Sequence, residues 1–368
     1  MTIRKSLITV ILTLVLCLAV GSAMAAPVAN DAELLAAVAA ANSATSGPVT
    51  IKLADNSTFT ADVTIYQNAG VNVIIEGGNN SVYTGTISIH GRNNMANTES
   101  ITIKGITFVA APGTTAGYSF ITYAENAPGT ASHNTTYPHN VTVENCSFTG
   151  DYQHDIVAVN LKGASNVVIQ NCNAVGVHSL MQGQGNVPKN GATYGVQIIG
   201  CTVDALEGGV NLGSSGPVLI ENCDIAAGDY AVRSNISEQA AGLRTLTIQE
   251  STLNSKTPVI LRNVTNPADI TLNVEDNTMI HNNPDNSWLS VTKSGNVTTE
   301  DMLNTDDLKN VAAENNVLSY NEYVASIAGP VYSAPHTGDN SHVLLWAGLM
   351  LVSVLGMVTF AKKRAAER

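Results

Sequence analysis

The feature that most constrains the fold is a short segment that occurs in seven copies between residues 101 and 273. Each copy is an alternating apolar and polar run, a polar or glycine turn residue, and usually a second alternating run, as in residues 141–148 and 218–225. The reference positions Cys146, Cys172, Cys201, Cys223 and Ser251 are spaced by 26, 29, 22 and 28 residues. A period of two indicates β-strands, and each run is too short for a helix.

One such unit cannot bury its apolar side alone, whereas stacked units form a continuous core with parallel strands in register. We therefore predict an all-β fold, a right-handed parallel β-helix over residues 48–295. The consensus of leucine-rich repeats, which have a similar length, is absent. The aromatic content of 5% fits a narrow interior filled by Val, Ile, Leu and Cys. In these repeats the chain resembles the pectin-lyase-like β-helix superfamily, which implies the fold and leaves the activity open.

Two segments flank the predicted solenoid. Residues 26–47 contain a capped helix that begins at Asn30 and places Leu34, Leu35 and Val38 on one face, so we expect it to cover the N-terminal end of the solenoid. Residues 296–333 lose the repeat and are predicted to be a C-terminal cap and spacer, with a short helix between Glu300 and Asn310.

The N-terminus, residues 1–25, has the pattern of a secretory signal peptide. Arg4 and Lys5 precede an apolar run, and Ala23-Met24-Ala25 forms a small-x-small cleavage pattern. The apolar run is short for a membrane-spanning helix, so an uncleaved anchor is the weaker alternative. The sequence therefore predicts export.

The C-terminus, residues 334–368, combines three features in order. The pentapeptide Ala334-Pro335-His336-Thr337-Gly338 precedes an apolar run at 343–361, which is predicted to be a transmembrane helix, and a basic tail follows. The arrangement resembles the sorting signals of Gram-positive surface proteins, although the commonest form has Leu where this chain has Ala334. The resemblance implies that a sortase cleaves after Thr337 and links the chain to peptidoglycan. We expect a membrane-inserted precursor and an extracellular protein anchored to the cell wall; a plain single-pass anchor is the alternative.

Charge and cysteine usage exclude some functions. The formal net charge of −12 disfavours nucleic acid as a partner, because phosphate binding needs a basic surface. Cys146, Cys172, Cys201 and Cys223 occupy equivalent positions, and Ser251 continues their column, which favours an interior ladder of reduced thiols over two disulfides. Four sulfurs in a row do not form a tetrahedral metal site.

Candidate chemistry appears when the coils are aligned on the cysteine column. The segments that follow the column carry titratable side chains, namely His154, Asp155, His178, Glu207, Asp229 and Arg233. On a shared face they would form a strip able to bind a sugar chain, to coordinate Ca²⁺ or to supply catalytic acid and base groups. The alternative is that solvated turns simply collect such residues. The catalytic motifs typical of the superfamily's lyases and polygalacturonases are not recognisable.

Tyrosines provide the second set of candidates. Tyr118 and Tyr123 lie in an insertion that interrupts the repeats, and Tyr230 follows Asp229; all three are predicted to contact a ligand, with a structural capping role as the alternative. The leading hypothesis is an adhesin-like surface protein that binds a glycan or host-surface ligand. A wall-bound polysaccharide lyase or glycosidase acting on acidic glycans is the first alternative, and a structural surface component is the second.

Overall fold

A computed structural model describes residues 26–91, 99–114, 117–123, 137–184, 186, 192–213, 216–235, 244–264, 270–281, 288–293, 302–303 and 310–320. The chain divides into two units, residues 1–324 and 325–368, and all described residues belong to the first. The predicted signal peptide, sorting pentapeptide and apolar segment 343–361 lie outside the described residues. Within the described part of the chain, no helix is long and apolar enough to span a membrane.

Thirty strands of the described chain form three ten-stranded sheets. Sheet 1 contains β1 (Gly47–Lys52), β4 (Val71–Glu76), β7 (Ile101–Lys104), β10 (His139–Glu144), β13 (Ser165–Gln170), β16 (Val196–Ile199), β19 (Val218–Glu221), β22 (Arg244–Gln249), β25 (Ile270–Glu275) and β29 (Asn310–Glu314). Sheet 2 contains β2 (Thr58–Phe59), β5 (Val82–Tyr83), β8 (Thr107–Val109), β11 (Ser147–Thr149), β14 (Asn173–Val177), β17 (Thr202–Ala205), β20 (Asp224–Ala227), β23 (Thr252–Ser255), β26 (Thr278–His281) and β30 (Val317–Tyr320). Sheet 3 contains β3 (Val63–Tyr66), β6 (Ile87–His90), β9 (Ser119–Tyr123), β12 (Val157–Asn160), β15 (Ser179–Gln184), β18 (Gly208–Gly213), β21 (Tyr230–Asn235), β24 (Thr257–Val264), β27 (Leu289–Lys293) and β28 (Met302–Leu303).

The order of the strands gives the architecture directly. From β1 to β27, each strand pairs in parallel with the strand three places later in the chain, so three successive strands form one coil. Beyond them, β25 and β26 pair in parallel with β29 and β30, four places later. The antiparallel pair of β27 with β28 is an exception at the C-terminal end. An all-β chain of three parallel sheets agrees with the predicted parallel β-helix.

Helix α1 (Asp31–Ser43) precedes the first coil. The Asn30 side chain accepts a hydrogen bond from the Glu33 amide at 3.1 Å and caps the helix, and the Glu33 carboxylate accepts one from the amide of Ala29, the residue before the cap, at 2.7 Å. Leu34 and Val38 are buried as predicted, but Leu35 is 49% exposed. The predicted apolar face was therefore one residue too wide, because residues i and i+1 lie about 100° apart on a helix.

A left-handed residue separates sheet 1 from sheet 2 in successive coils. Gly105, Asn145, Asn171, Gly200, Asn222, Glu250, Asp276 and Asn315 all have φ between 52° and 65°. Glycine and asparagine are the residues that adopt this conformation at least cost. The recurring polar or glycine residue of the sequence repeat is thus explained by the bend that it makes.

The next residue in each coil points into the interior. Cys146, Cys172, Cys201 and Cys223 are buried with free thiols, and Ser251 and Asn277 continue the column. Their side chains donate hydrogen bonds to carbonyl oxygens at the bend: Cys172 Sγ lies 3.3 Å from the Gln170 oxygen, and Ser251 Oγ lies 2.8 Å from the Gln249 oxygen. The column therefore holds small polar side chains that satisfy backbone acceptors in a buried turn.

The C-terminal end of the solenoid differs from the sequence expectation. The strands β29 and β30 pair with β25 and β26, so the coils continue to Tyr320 rather than ending near residue 295. Met302 and Leu303, within the segment expected to be a short helix, form strand β28, and residues 304–309 lie outside the described residues. The repeat was missed here because β29 (NVAAE) has two adjacent alanines where the other coils alternate larger aliphatic and polar residues.

Candidate functional site

Part of the predicted strip lies at the turns that enter sheet 3. His178 directly precedes β15, Glu207 directly precedes β18, and Asp229 directly precedes β21. Backbone hydrogen bonds stack these turns: the Gly208 amide donates to the His178 oxygen at 3.2 Å, and the Asp229 amide donates to the Glu207 oxygen at 2.8 Å. The parallel register thus places equivalent turn residues about 4.8 Å apart in neighbouring coils.

His178 lies between two carboxylates. Its Nδ1 atom is 3.3 Å from the Asp155 carboxylate, and its Nε2 atom is 3.5 Å from the Glu207 carboxylate. The histidine is only 8% exposed, whereas the Asp155 side chain extends into solvent. The three residues therefore form a polar chain that crosses three coils at one edge of sheet 3, within ion-pair distance of one another, although His178 Nδ1 makes no hydrogen bond among the described residues.

Arg233 extends the chain on the outer face of sheet 3. Its guanidinium is 3.7 Å from the second Glu207 oxygen, and its Nε atom donates to the Asn211 side chain at 3.2 Å. The guanidinium carbon also lies 4.2 Å from the centre of the Tyr230 ring, a cation–π distance. Three contacts with protein groups thus hold Arg233 in one orientation.

Tyr230 is buried beneath this arginine. The ring covers Gly208 so closely that a Cβ atom at that glycine would lie 2.1 Å from the ring. Burial raises the pKa of the Tyr230 phenol to about 12, with Glu207 and Asp229 adding to the rise and Arg233 opposing it. The phenol is therefore neutral at physiological pH, and its buried hydroxyl has no hydrogen-bond partner within the described part of the chain.

The structure does not bring every predicted residue into this chain. His154 pairs instead with Asp151, whose carboxylate is 2.5 Å from the imidazole. Asp229 is exposed at the turn, where its charge acts on Tyr230. Tyr118 donates its hydroxyl to the Thr84 oxygen at 3.0 Å and stands edge-on to Phe120, so it anchors the flank of the solenoid.

Tyr123 occupies a different position. It ends β9 and is half-buried, with its ring centre 5.8 Å from that of Tyr137. It lies on the same sheet as Tyr230 but four coils nearer the N-terminus, in the strand order β9, β12, β15, β18, β21.

An open groove of about 190 Å³ crosses sheet 3 beside Arg233. Its walls carry cationic and amide side chains, those of Lys162, Gln182, Asn211, Arg233, Asn235 and Arg262, and two glycines, Gly183 and Gly213, complete the lining. No carboxylate lines the groove among the residues that the structure describes. A chain with a net charge of −12 therefore presents a locally positive groove.

Five of the six charged and amide side chains of the groove were not predicted. A signal was present in the sequence: Asn160, Gln182, Asn211 and Arg233 pair in register along one outward row of sheet 3. Aligning the coils on the apolar residue that precedes each of these positions would have found the row. The alignment on the cysteines brings Gln182, Asn211 and Arg233 to the same position, 10 residues after Cys172, Cys201 and Cys223. The amides were missed because only titratable and aromatic side chains were taken as candidates.

Comparison with protein-family models, with curated proteins and with solved structures found no match. The described residues contain no group of three or more His, Cys, Asp and Glu side chains placed to bind a metal ion. The groove and the adjoining chain from Asp155 to Arg233 are thus the candidate site that the geometry defines.

Proposed function

We propose that this chain is an exported surface protein that binds an anionic glycan in the groove of sheet 3. The observation that carries the proposal is the lining of that groove: three cationic and three amide side chains without a carboxylate. Guanidinium groups bind carboxylates and sulfates through paired hydrogen bonds, and amides recognise hydroxyl groups. This combination suits an acidic sugar.

The dimensions of the groove support a chain ligand. Lys162 follows β12 and Arg262 lies in β24, so the lining crosses four strand spacings, or about 19 Å. The length of one sugar unit in an extended glycan is similar to the spacing between neighbouring coils of the solenoid, about 4.8 Å. A glycan lying along the solenoid axis would therefore offer about one unit to each coil.

The remaining parts of the proposal depend on sequence. The signal at residues 1–25 and the motif Ala334–Gly338 support export and attachment to peptidoglycan by a sortase, and the repeats support a right-handed coil of the pectin-lyase-like type. In this arrangement the glycan-binding sheet would be displayed at the surface of a Gram-positive cell, as in an adhesin.

Titration calorimetry of the purified protein with acidic and neutral oligosaccharides tests the proposal. We expect binding of the acidic series alone, weakened by salt, and an affinity loss of roughly tenfold or more for Arg233→Gln and Arg262→Gln. Lys256→Gln is the matched control, because Lys256 is exposed in the same coil as Arg262 but does not line the groove. Equal affinity for neutral sugars, or equal losses in all three variants, would contradict the proposal.

A polysaccharide lyase or glycosidase is the second candidate function. One observation favours it: Asp155, His178, Glu207 and Arg233 form a connected chain beside the groove. A catalytic acid or base must reach the substrate proton, however, and His178 and Tyr230 are only 8% and 1% exposed. Binding is therefore preferred over turnover.

The two functions differ in a direct assay. Incubation with acidic polysaccharides, followed by absorbance of unsaturated uronates and by release of reducing ends, detects the lyase and the glycosidase respectively. Turnover that is abolished by His178→Ala or Arg233→Ala would establish the enzyme and reject the purely binding function.

A further inference from the structure

Four thiols stand one above another at the bend between sheet 1 and sheet 2, and they share one side-chain orientation. In each coil the sulfur lies 3.2 to 3.5 Å from the carbonyl oxygen two residues earlier, at Cys146, Cys172, Cys201 and Cys223. Each sulfur also lies 3.5 to 3.7 Å from a carbonyl oxygen of the preceding coil. The sulfurs of these four residues, here termed the thiol column, therefore repeat with the coil spacing of about 4.8 Å.

The thiol column is bounded by other side chains at both ends. The register places Ile106 in the coil before Cys146, and Ser81 in the coil before Ile106. Ser251 follows Cys223, and its Oγ accepts a hydrogen bond from the Cys223 amide at 3.1 Å. The amide of one coil thus points at the side chain of the next, where it would also stabilise an anionic sulfur.

A row of sulfurs suits a cation of linear coordination. The thiolate is the form of cysteine that binds metals, and soft cations such as Cu(I) select sulfur ligands. With about 2.3 Å for one metal–sulfur bond, two bonds in line span about 4.6 Å, close to the coil spacing of about 4.8 Å. A tetrahedral ion such as Zn²⁺ needs four ligands around one point, and no group of three or more candidate ligands occurs in the described part of the chain. The geometry therefore favours a two-coordinate cation.

We propose that neighbouring thiols of the column bind Cu(I) in pairs, with one cation in line between two sulfurs. Each cation forms two metal–sulfur bonds and displaces two thiol protons, and its oxidation state does not change. A second cation on the same sulfur would need a straight metal–sulfur–metal angle, which sulfur does not adopt. Four thiols therefore hold two cations, one between Cys146 and Cys172 and one between Cys201 and Cys223. This site is independent of the proposed glycan binding.

Burial determines how the cation enters and leaves. The four thiols are 1 to 3% exposed. Asn171, the left-handed residue before Cys172, is exposed, so the wall between this sulfur and solvent is one residue thick. Entry requires local opening of such a bend. Loading should therefore be slow, and a bound cation should resist removal by a chelator.

The test measures the Cu(I) retained by the reduced full-length chain carrying Cys17→Ser, after long anaerobic incubation with a Cu(I) chelate and removal of the excess. We expect about two Cu(I) per chain, about two protons released per cation, two sulfur neighbours per copper by X-ray absorption, and no retained Zn²⁺. Cys201→Ser should retain about one Cu(I), because only the pair of Cys146 and Cys172 remains. Circular dichroism checks the fold, which should tolerate the change because Ser251 is a natural serine of the same column.

A serine-to-cysteine change distinguishes paired sites from a simple count of thiols. Ser251→Cys added to Cys201→Ser gives Cys223 a new neighbour and should restore retention to about two Cu(I) per chain. Ser81→Cys in the same background is the matched control, because Ser81 is 1% exposed in the same column but Ile106 separates it from the nearest thiol. Its retention should stay at about one. Equal retention in the two double variants, or no Cu(I) on the chain with all four thiols, would overturn the inference.

Discussion

Gly208→Ala should disturb the site through one steric contact. The new Cβ atom would lie 2.1 Å from Cε2 and Cζ of Tyr230 and 2.5 Å from its hydroxyl, so the ring must leave its position. Overpacking of this kind costs about 1–3 kcal/mol of unfolding free energy. Because the Arg233 guanidinium rests on that ring at 4.2 Å, the substitution should also weaken glycan binding in the groove.

The sign of the effect should reverse when the ring is absent. Tyr230→Ala alone should cost about 3–5 kcal/mol, as for other buried aromatic side chains. In that background Gly208→Ala meets no phenol ring, and it should be neutral or stabilising by up to about 1 kcal/mol, since alanine restricts the unfolded chain more than glycine does. The double-mutant cycle should therefore give a coupling energy of about 1–4 kcal/mol.

Urea unfolding followed by far-ultraviolet circular dichroism measures the four free energies. Gly209→Ala is the control, because its Cβ atom would meet Ile225 at 2.2 Å and the Ala231 oxygen at 2.5 Å. Its cost should persist in the Tyr230→Ala background. Equal costs of Gly208→Ala in both backgrounds would refute the steric account of how Tyr230 and Arg233 are positioned.

Three further predictions concern other groups. No interior thiol should react with an alkylating agent in the native protein near neutral pH, because a hydrogen bond from the neighbouring thiol and burial raise the pKa of Cys172 and of Cys201 to about 12. In denaturant without reductant all four interior thiols should react, whereas two or fewer reactive thiols would indicate disulfides. The pKa of Tyr230 in the folded state lies above its ordinary value of 10, so the unfolded state loses the phenol proton first as the pH rises. The free energy of unfolding should therefore fall by about 2–3 kcal/mol between pH 10 and 12 in the unaltered protein, but not in Tyr230→Phe. Asn30→Ala should cost about 1 kcal/mol of unfolding free energy through loss of the helix cap, whereas Asn30→Asp should retain it; equal losses would contradict the cap.

The fold could be predicted from sequence because each coil repeats the same local rules. The alternation of residues 141–144 gives a strand, and the left-handed Asn145 gives the bend before Cys146. These patterns depend on neighbours in the sequence, so they are visible without a structure. The end of the solenoid was less predictable, because the alternation of apolar and polar residues is weak in β29, which contains two adjacent alanines.

The site was predicted only in part because it depends on register between coils. His178, Glu207 and Arg233 were found from their residue types, since titratable groups near the cysteine column are easily recognised. Their contacts, and the role of Asn211 beside Arg233, depend on which residues pair across strands that lie about 22 positions apart. A period-two pattern within one strand does not specify that pairing, and a neutral amide such as Asn211 carries no feature that marks it out in the sequence.

The register also explains how an acidic solenoid can keep a basic groove. Like charges directly opposite each other on neighbouring strands repel, which limits how closely a parallel solenoid can stack cations. Arg233 pairs with Asn211 on one side and Ile260 on the other, and Arg262 pairs with Asn235, so no two arginines are register partners here. Arg233 and Arg262 belong to neighbouring coils and are offset by two residues along the strand, so their backbone positions lie about 8 Å apart diagonally. A ligand that neutralises both must therefore carry anionic groups at a comparable separation, which a single small anion does not provide and a polyanionic chain does.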